Sequence, residues 1–256
     1  MLLKLKEKVK EAMGTTSFLW ESEKSVSYLP GQYFYYTLPK LIYPDSKGPT
    51  RHFTLSSSPT EGKLLKLTTK IRKESGFKQT LDALPIGSQV EGEGPSGTFI
   101  IDEHEAGPHI FIAGGIGITP FRSAIKYAID KNTASSIHLL YSNSIPEEIA
   151  FRDELSKWDQ NFDNIKVDFT ITKPDNIKSS WNGLTGRIDQ NMLNKVIGNW
   201  KSLDFTRDGE QVEPLHIGYS KFWLCGPPPM VDAMEKLLGS MKITSDRVRS
   251  EKFTGY

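Results

Sequence analysis

The residues of this 256-residue chain whose types and spacing suit chemistry fall in four stretches. The first is Gly114-Gly115-Ile116-Gly117-Ile118-Thr119-Pro120, which follows the apolar run His109–Ala113 and leads into the helically spaced Thr119–Asp130. A strand, a glycine turn and a helix start gather unpaired backbone N–H groups beside the positive end of a helix dipole, an arrangement that suits a pyrophosphate. Pro120 stands where the third glycine of G-x-G-x-x-G would be, so the turn departs from the dinucleotide fingerprint. A turn that needs glycines only for close packing would have the same pattern. The second stretch is Arg51-His52-Phe53-Thr54-Leu55-Ser56-Ser57-Ser58-Pro59. An arginine forks onto phosphate, an aromatic covers a flat ring, and a hydroxyl bonds a ring nitrogen. An ordinary strand ending in a serine-rich turn carries these residues equally well. The third, Cys225-Gly226-Pro227-Pro228-Pro229-Met230, closes an apolar run at the end where open α/β sheets bind ligands. A lone cysteine is otherwise a small core residue. The fourth is the tail, Glu251-Lys252-Phe253-Thr254-Gly255-Tyr256, with two aromatics able to cap a ring or to fray.

The elements that must position these residues differ between the two halves. Leu3, Leu5 and Val9 alternate with Lys4, Lys6, Lys8 and Lys10, the period of a strand with one wet face. Further strand-like runs are Gln32–Thr37, Phe53–Ser56, Leu64–Ile71 and Thr98–Ile101, with a helix over Phe77–Leu84. Close-set short strands predict an antiparallel β-barrel over residues 1–102. Beyond it, strands at His109–Ala113, Ser136–Tyr141, Lys166–Thr172 and Lys221–Cys225 alternate with helices at Thr119–Asp130, Glu147–Trp158, Asp189–Trp200 and Pro227–Met241. That alternation predicts an α/β doubly wound parallel sheet over 103–256. Lys40–Pro49 and Leu203–His216 read as surface loops.

Composition narrows the function. Thirty-seven per cent hydrophobic residues, 25% charged and a net charge of +1 describe a packed chain with no surplus for nucleic acid or a membrane surface. The longest apolar stretch, Ile110–Ile118, holds three glycines and is too short to span a bilayer. MLLKLKEKVK carries lysines where a secretory leader is apolar, so a cytoplasmic location is expected. One cysteine, Cys225, excludes a metal or iron–sulfur centre held by clustered thiolates. Five histidines show no ligand or triad spacing, and neither a G-x-S-x-G elbow nor a P-loop is present.

Taken in order, and together with Pro30-Gly31-Gln32-Tyr33 and Gly94-Pro95-Ser96-Gly97-Thr98-Phe99, these motifs resemble the ferredoxin–NADP reductase-like flavoprotein family along nearly the whole chain. The resemblance implies FAD, favoured over FMN, with NADPH or NADH as electron donor. It implies Arg51 on the flavin pyrophosphate, Phe53 against the isoalloxazine, and Thr54 near flavin N5. Thr68, Thr69 and Lys70 would lie on the strand lining the flavin, and Gly76, Phe77 and Lys78 at a second phosphate signature, from which Lys78 departs. Gly115, Gly117, Thr119 and Pro120 match the nicotinamide-nucleotide loop, and Thr172-Lys173 aligns with a pair that holds a 2′-phosphate in NADP-using relatives. Cys225 and Gly226 match a segment beside the nicotinamide, Glu251 a proton-relaying or charge-balancing position, and Phe253 or Tyr256 a ring cap. The expected reaction is hydride transfer to flavin where barrel and sheet join, with Thr54, Cys225 and Glu251 as catalytic residues. Electrons then pass to a separate acceptor: a ferredoxin, a flavodoxin, an oxygenase component or a free flavin. The alternative is a non-catalytic nucleotide-binding regulatory or interaction module of the same fold. Replacing Arg51 is expected to cost flavin retention far more than folding.

Overall fold

A computed structural model describes residues 1–101, 108–133, 135–176, 180–200, 206–207, 210–211 and 220–254 of the chain. They fall into two compact units. One holds residues 1–101 together with the helix Thr119–Lys131, and the other the remaining described residues. The boundary expected at 102/103, like Tyr256, lies outside the described residues.

The first unit is built from β1 (Leu2–Ala12), β2 (Thr15–Ser22), β3 (Tyr33–Thr37), β4 (Thr50–Thr54), β5 (Leu64–Lys70), α1 (Gly76–Ala83) and β6 (Gln89–Ser96). The alternation in β1 buries Leu3 and Leu5 and leaves Lys4 and Lys6 in water. The strands run in the order β4-β3-β6-β1-β2-β5, every pair antiparallel. The bridge between Leu55 and Leu67 joins the two ends and closes the barrel. Its core includes Leu3, Leu5, Phe18, Trp20, Phe34, Tyr36, Leu67 and Phe77. The run Thr98–Ile101, expected as a strand, is not one. The ladder passes instead through the glycine-bearing β6, and Phe99 is buried against Phe121 with ring centroids 5.9 Å apart.

The helix α2 (Thr119–Lys131) belongs to this unit. Its Arg122 is 1% exposed and bonds the Ser56 carbonyl (2.8 Å) and both Glu61 oxygens (2.5 and 2.8 Å). Ser123 donates to the Ser57 carbonyl at 2.7 Å. The residues that follow β4 are therefore pinned to α2.

The second unit contains β7 (His109–Gly114), β8 (Ile137–Asn143), α3 (Arg152–Asn161), β9 (Ile165–Ile171), β10 (Leu184–Thr185), α4 (Gln190–Trp200), the short pair β11 (Thr206–Arg207) and β12 (Glu210–Gln211), β13 (Lys221–Gly226), α5 (Pro228–Ser240) and β14 (Val248–Lys252). Its parallel sheet runs β10-β9-β8-β7-β13-β14. Strand order reverses between β7 and β13, which makes a topological switch point at their carboxyl ends. The helix expected over Glu147–Trp158 is broken. Pro146–Glu148 form a 3₁₀ turn and Phe151 sits at φ 59°, so the α-helix begins only at Arg152. Of the expected loop Leu203–His216 only the hairpin residues are described, whereas Lys40–Pro49 holds neither helix nor strand.

Candidate functional site

In the barrel unit, β4 carries Arg51, Phe53 and Thr54, and α1 opens with Gly76, Phe77 and Lys78. Arg51 lies 5.4 Å from the Phe77 ring centre, and Phe53 and Phe77 are 5.9 Å apart. Phe53 is 8% exposed and packs in the core. Thr54 is buried at the end of β4, and its hydroxyl has no partner among the described residues. The Thr68 hydroxyl joins those of Ser17 (2.7 Å) and Ser56 (2.6 Å) in a buried chain, so it shapes the barrel wall. Thr69 is buried beside it and Lys70 is half-buried.

Sequence reasoning missed Asp45. Its carboxylate accepts from Arg51 (2.6 Å), from the Phe77 amide (2.9 Å) and from the Ser75 hydroxyl (3.2 Å). Arg51 also donates to the carbonyls of Lys47, Gly48 and Thr50. The loop before β4 lies directly over the start of α1. A methyl group on Gly76 would come within 2.1 Å of the Pro44 carbonyl oxygen, and Thr80 accepts from the Ile42 and Tyr43 amides. Burial works to raise the Asp45 carboxyl, but the Phe77 and Lys47 amides, Arg51 and Ser75 outweigh it and hold it below the usual range. The signal for this contact was the acidic residue in a predicted loop six positions before Arg51, which no local periodicity marks.

Lys78, the third residue of α1, is 5% exposed, and its ammonium has no hydrogen bond or ion pair among the described residues. Burial, with Arg72 and Arg51 adding repulsion, depresses it to about 8. A buried cation among cations fits a phosphorylated cofactor on this side of the barrel.

In the second unit, the carboxyl ends of β7, β13 and β14 place Ala113, Cys225 and Glu251 in one row across the sheet. Cys225 is fully buried, and burial followed by the Glu251 charge raises its thiol. Burial pushes Glu251 up to about 7, and its Oε2 is buried without a hydrogen-bond partner among the described residues. The Phe253 amide donates to the Gly226 carbonyl at 2.9 Å, which ties the tail to β13. The tail is paired as strand β14 as far as Lys252.

The glycine turn answers its own two readings residue by residue. A Cβ on Gly117 would lie 2.2 Å from the Cys225 carbonyl oxygen, so this glycine serves close packing. Gly115 adopts φ +54° with nothing within 4 Å of where a Cβ would be, so its backbone is open to a ligand. Thr119 and Pro120 follow as the first residues of α2. At the end of β9 the Thr172 and Lys173 amides bond the Asn143 and Ser144 carbonyls, each at 2.9 Å, and Lys173 is exposed.

A closed antiparallel barrel and a parallel sheet with a glycine turn at its switch point make a two-unit architecture whose second unit has the form of a nucleotide-binding sheet. Residues 1–101 match the oxidoreductase FAD-binding domain family and residues 111–236 the oxidoreductase NAD-binding domain family. The chain belongs to the ferredoxin–NADP reductase-like flavoproteins. It is 26% identical over 248 residues to the stachydrine N-demethylase reductase subunit of Rhizobium meliloti, covering 95% of this chain and 64% of that one. It is 29% identical over 203 residues to NADH-cytochrome b5 reductase 1 of Aspergillus terreus, covering 77% and 62%. The chain thus spans less than two thirds of the length of these relatives. The cytochrome b5 reductase domain of Ulva prolifera nitrate reductase superposes with a TM-score of 0.76 at 26% identity, covering 98% of this chain and 96% of that one. Among the described residues, no helix is long and apolar enough to cross a membrane.

Proposed function

We propose that the chain is an NAD(P)H-dependent flavoprotein reductase that takes hydride from a reduced nicotinamide and delivers electrons to a separate acceptor. The observation that carries this reading is the Cys225–Glu251 pair at the carboxyl ends of β13 and β14, a neutral thiol beside a carboxyl poised at about 7. Bound FAD would supply the redox chemistry, accepting two electrons together and releasing them singly. The protein's part is alignment and charge. Thr54 offers an uncommitted hydroxyl at the end of β4 to orient the flavin ring, with Thr69 and Lys70 on the neighbouring wall. Lys78, Arg51 and the start of α1 form its phosphate end. Gly115 lets the nicotinamide nucleotide's phosphates approach the backbone, and Thr172 and Lys173 lie at the end of the sheet suited to its ribose. Cys225, small and un-ionised, shapes the nicotinamide pocket without adding charge. Glu251 holds or gives up a proton near neutrality, balancing charge as electrons arrive.

The relatives named as the reductase subunit of a demethylase and as an NADH-cytochrome b5 reductase support an external electron acceptor. The test is direct. Purified protein is yellow, and anaerobic NADH or NADPH bleaches it, the faster of the two identifying the donor. Cys225→Ala slows that single-turnover bleaching while flavin stays bound. A colourless protein that takes up no added FAD would overturn the reading in favour of a non-catalytic module.

A further inference from the structure

The joint between α2 and the turn after β4 is built from more polar contacts than the packing of one helix requires. The buried Arg122 guanidinium forks onto both Glu61 oxygens, and its Nη1 also donates to the Ser56 carbonyl at 2.8 Å. Glu61 Oε2 accepts in addition from the Ser58 amide at 2.6 Å, so one carboxylate grips both the turn and the helix. Ser123 reaches the Ser57 carbonyl at 2.7 Å, and at the far end of α2 Asp130 accepts from the Thr60 hydroxyl at 2.5 Å. The turn is equally fixed on its other side. There the Ser57 hydroxyl bonds the Tyr28 hydroxyl and the Lys66 amide, and the Ser56 hydroxyl bonds the Lys66 carbonyl and the Thr68 hydroxyl. A buried ion pair contributes little stability beyond that of apolar residues of similar volume, whereas a bidentate fork fixes a separation and an orientation.

We infer that Arg122 is a positioning residue for hydride transfer: through Glu61 and Ser56 it fixes the start of α2, which holds the nicotinamide nucleotide, against the end of β4, which holds the flavin ring. The inference rests on the reductase reading and goes beyond it by naming the residue that sets the registration of the two coenzymes. Thr54 stands two residues before Ser56, and Thr119 three residues before Arg122, so both ligand-holding ends run directly into the joint. The fork of Arg122 is committed to Glu61 and Ser56, and it acts on the ligands through these neighbours. In the reaction the C4–H bond of the reduced nicotinamide breaks and a flavin N5–H bond forms, the hydride carrying both electrons. The nicotinamide is oxidised and the flavin reduced, and neither proton nor electron passes through Arg122. The rate depends steeply on the approach of the reacting atoms, and a misplacement of about 1 Å costs about a hundredfold. Loss of the joint therefore lowers the rate at saturation while leaving each coenzyme's own contacts in place.

The experiment exchanges the ion pair as a unit. In Arg122→Met/Glu61→Leu an apolar pair takes its place, which keeps the chain folded while the fork to the turn is gone. The full chain loaded with FAD is mixed anaerobically with NADH and with NADPH in a stopped-flow spectrometer, and the affinities for FAD and for the faster donor are measured separately. The double variant keeps FAD and binds the donor within about threefold of the wild type. It is nevertheless reduced at least about tenfold more slowly at saturating donor, and the long-wavelength absorbance of stacked nicotinamide and flavin rings weakens. Arg122→Lys, which keeps the charge without the fork, falls between the two. Ser123→Ala removes one neutral hydrogen bond of the same joint and slows reduction at least about twofold with binding unchanged, so it decides the question even if the double variant does not fold. Reduction of both the double variant and Ser123→Ala at the wild-type rate, or a loss of FAD or donor binding as large as the loss of rate, would overturn the inference and leave the reductase reading intact. A wild type that neither donor reduces would overturn the reading itself.

Discussion

Replacing Arg51 by alanine tests whether this arginine belongs to the ligand or to the fold. Its side chain and that of Asp45 are 4% and 7% exposed and meet at 2.6 Å. Removing one partner of a buried pair costs about 3–5 kcal/mol, because the other charge is left uncompensated. Two features move the value toward the lower end. Asp45 keeps the Phe77 and Lys47 amides and the Ser75 hydroxyl. The loop covering it is one chain thick, with Ile42, Tyr43, Pro44, Ser46 and Lys47 exposed. The expected loss is about 3 kcal/mol, which at roughly 2–4 °C per kcal/mol for a chain of this size lowers the melting temperature by about 6–12 °C. Asp45→Asn, which keeps shape and some hydrogen bonding, should cost about 1–2 kcal/mol. The double variant Asp45→Asn/Arg51→Met should cost less than the sum of its parts. The pH dependence has a definite sign. The Asp45 carboxyl is held below its unfolded value, so the pair's contribution is present at neutral pH and fades as pH falls through the folded value. Far-UV circular dichroism melts of flavin-free protein at pH 7 and in acid measure all of this. An Arg51→Ala protein that melts with the wild type at pH 7, yet fails to hold FAD, would show that Arg51 serves the ligand alone.

The remaining expectations are shorter. Glu251→Gln should stabilise the flavin-free protein by up to about 3 kcal/mol at pH 8, because a carboxyl raised to about 7 contributes fully only below its unfolded value and loses that contribution as pH rises to 7. The variant's advantage over wild type should therefore vanish near pH 4 in urea titrations, and an equal advantage at both pH values would refute the buried-carboxyl account. Gly115→Ala should cost about 1–2 kcal/mol through its positive φ alone and weaken NAD(P)H binding. Gly117→Ala should be more damaging because its methyl meets the Cys225 carbonyl, and paired thermal melts order the two. Arg122→Met strips the counter-charge from Glu61 and should lower stability by about 3 kcal/mol, read by urea unfolding.

Much of this architecture was legible because its signals are local. The alternation in β1, the runs of β7, β8 and β13, and the glycine turn each announce themselves within ten residues. What escaped was fixed by distant partners. The sequence of β6, QVEGEGPS, has little strand propensity, and pairing with β1 and β3 makes it a strand. Thr98–Ile101 has the propensity but packs without pairing. The polar β14 becomes a strand only beside β13. The candidate site divides the same way. Arg51 was visible as an arginine, but its bond to Asp45 depends on how the intervening loop folds over α1. Lys78 showed in the sequence as a departure from the family's hydroxyl residue, and that its ammonium meets no acceptor among the described residues appears only once the barrel is closed.

The helix after the glycine turn has a consequence for dissecting the gene. Although α2 lies downstream of β7 in the chain, Arg122 and Ser123 tie it to the Ser56–Glu61 turn, so the barrel's own wall is encoded in two separate pieces. A fragment ending near residue 101 would leave Glu61 facing no guanidinium and Phe99 without Phe121. Swapping flavin modules between relatives would therefore succeed only if the exchanged segment carried this helix along with it.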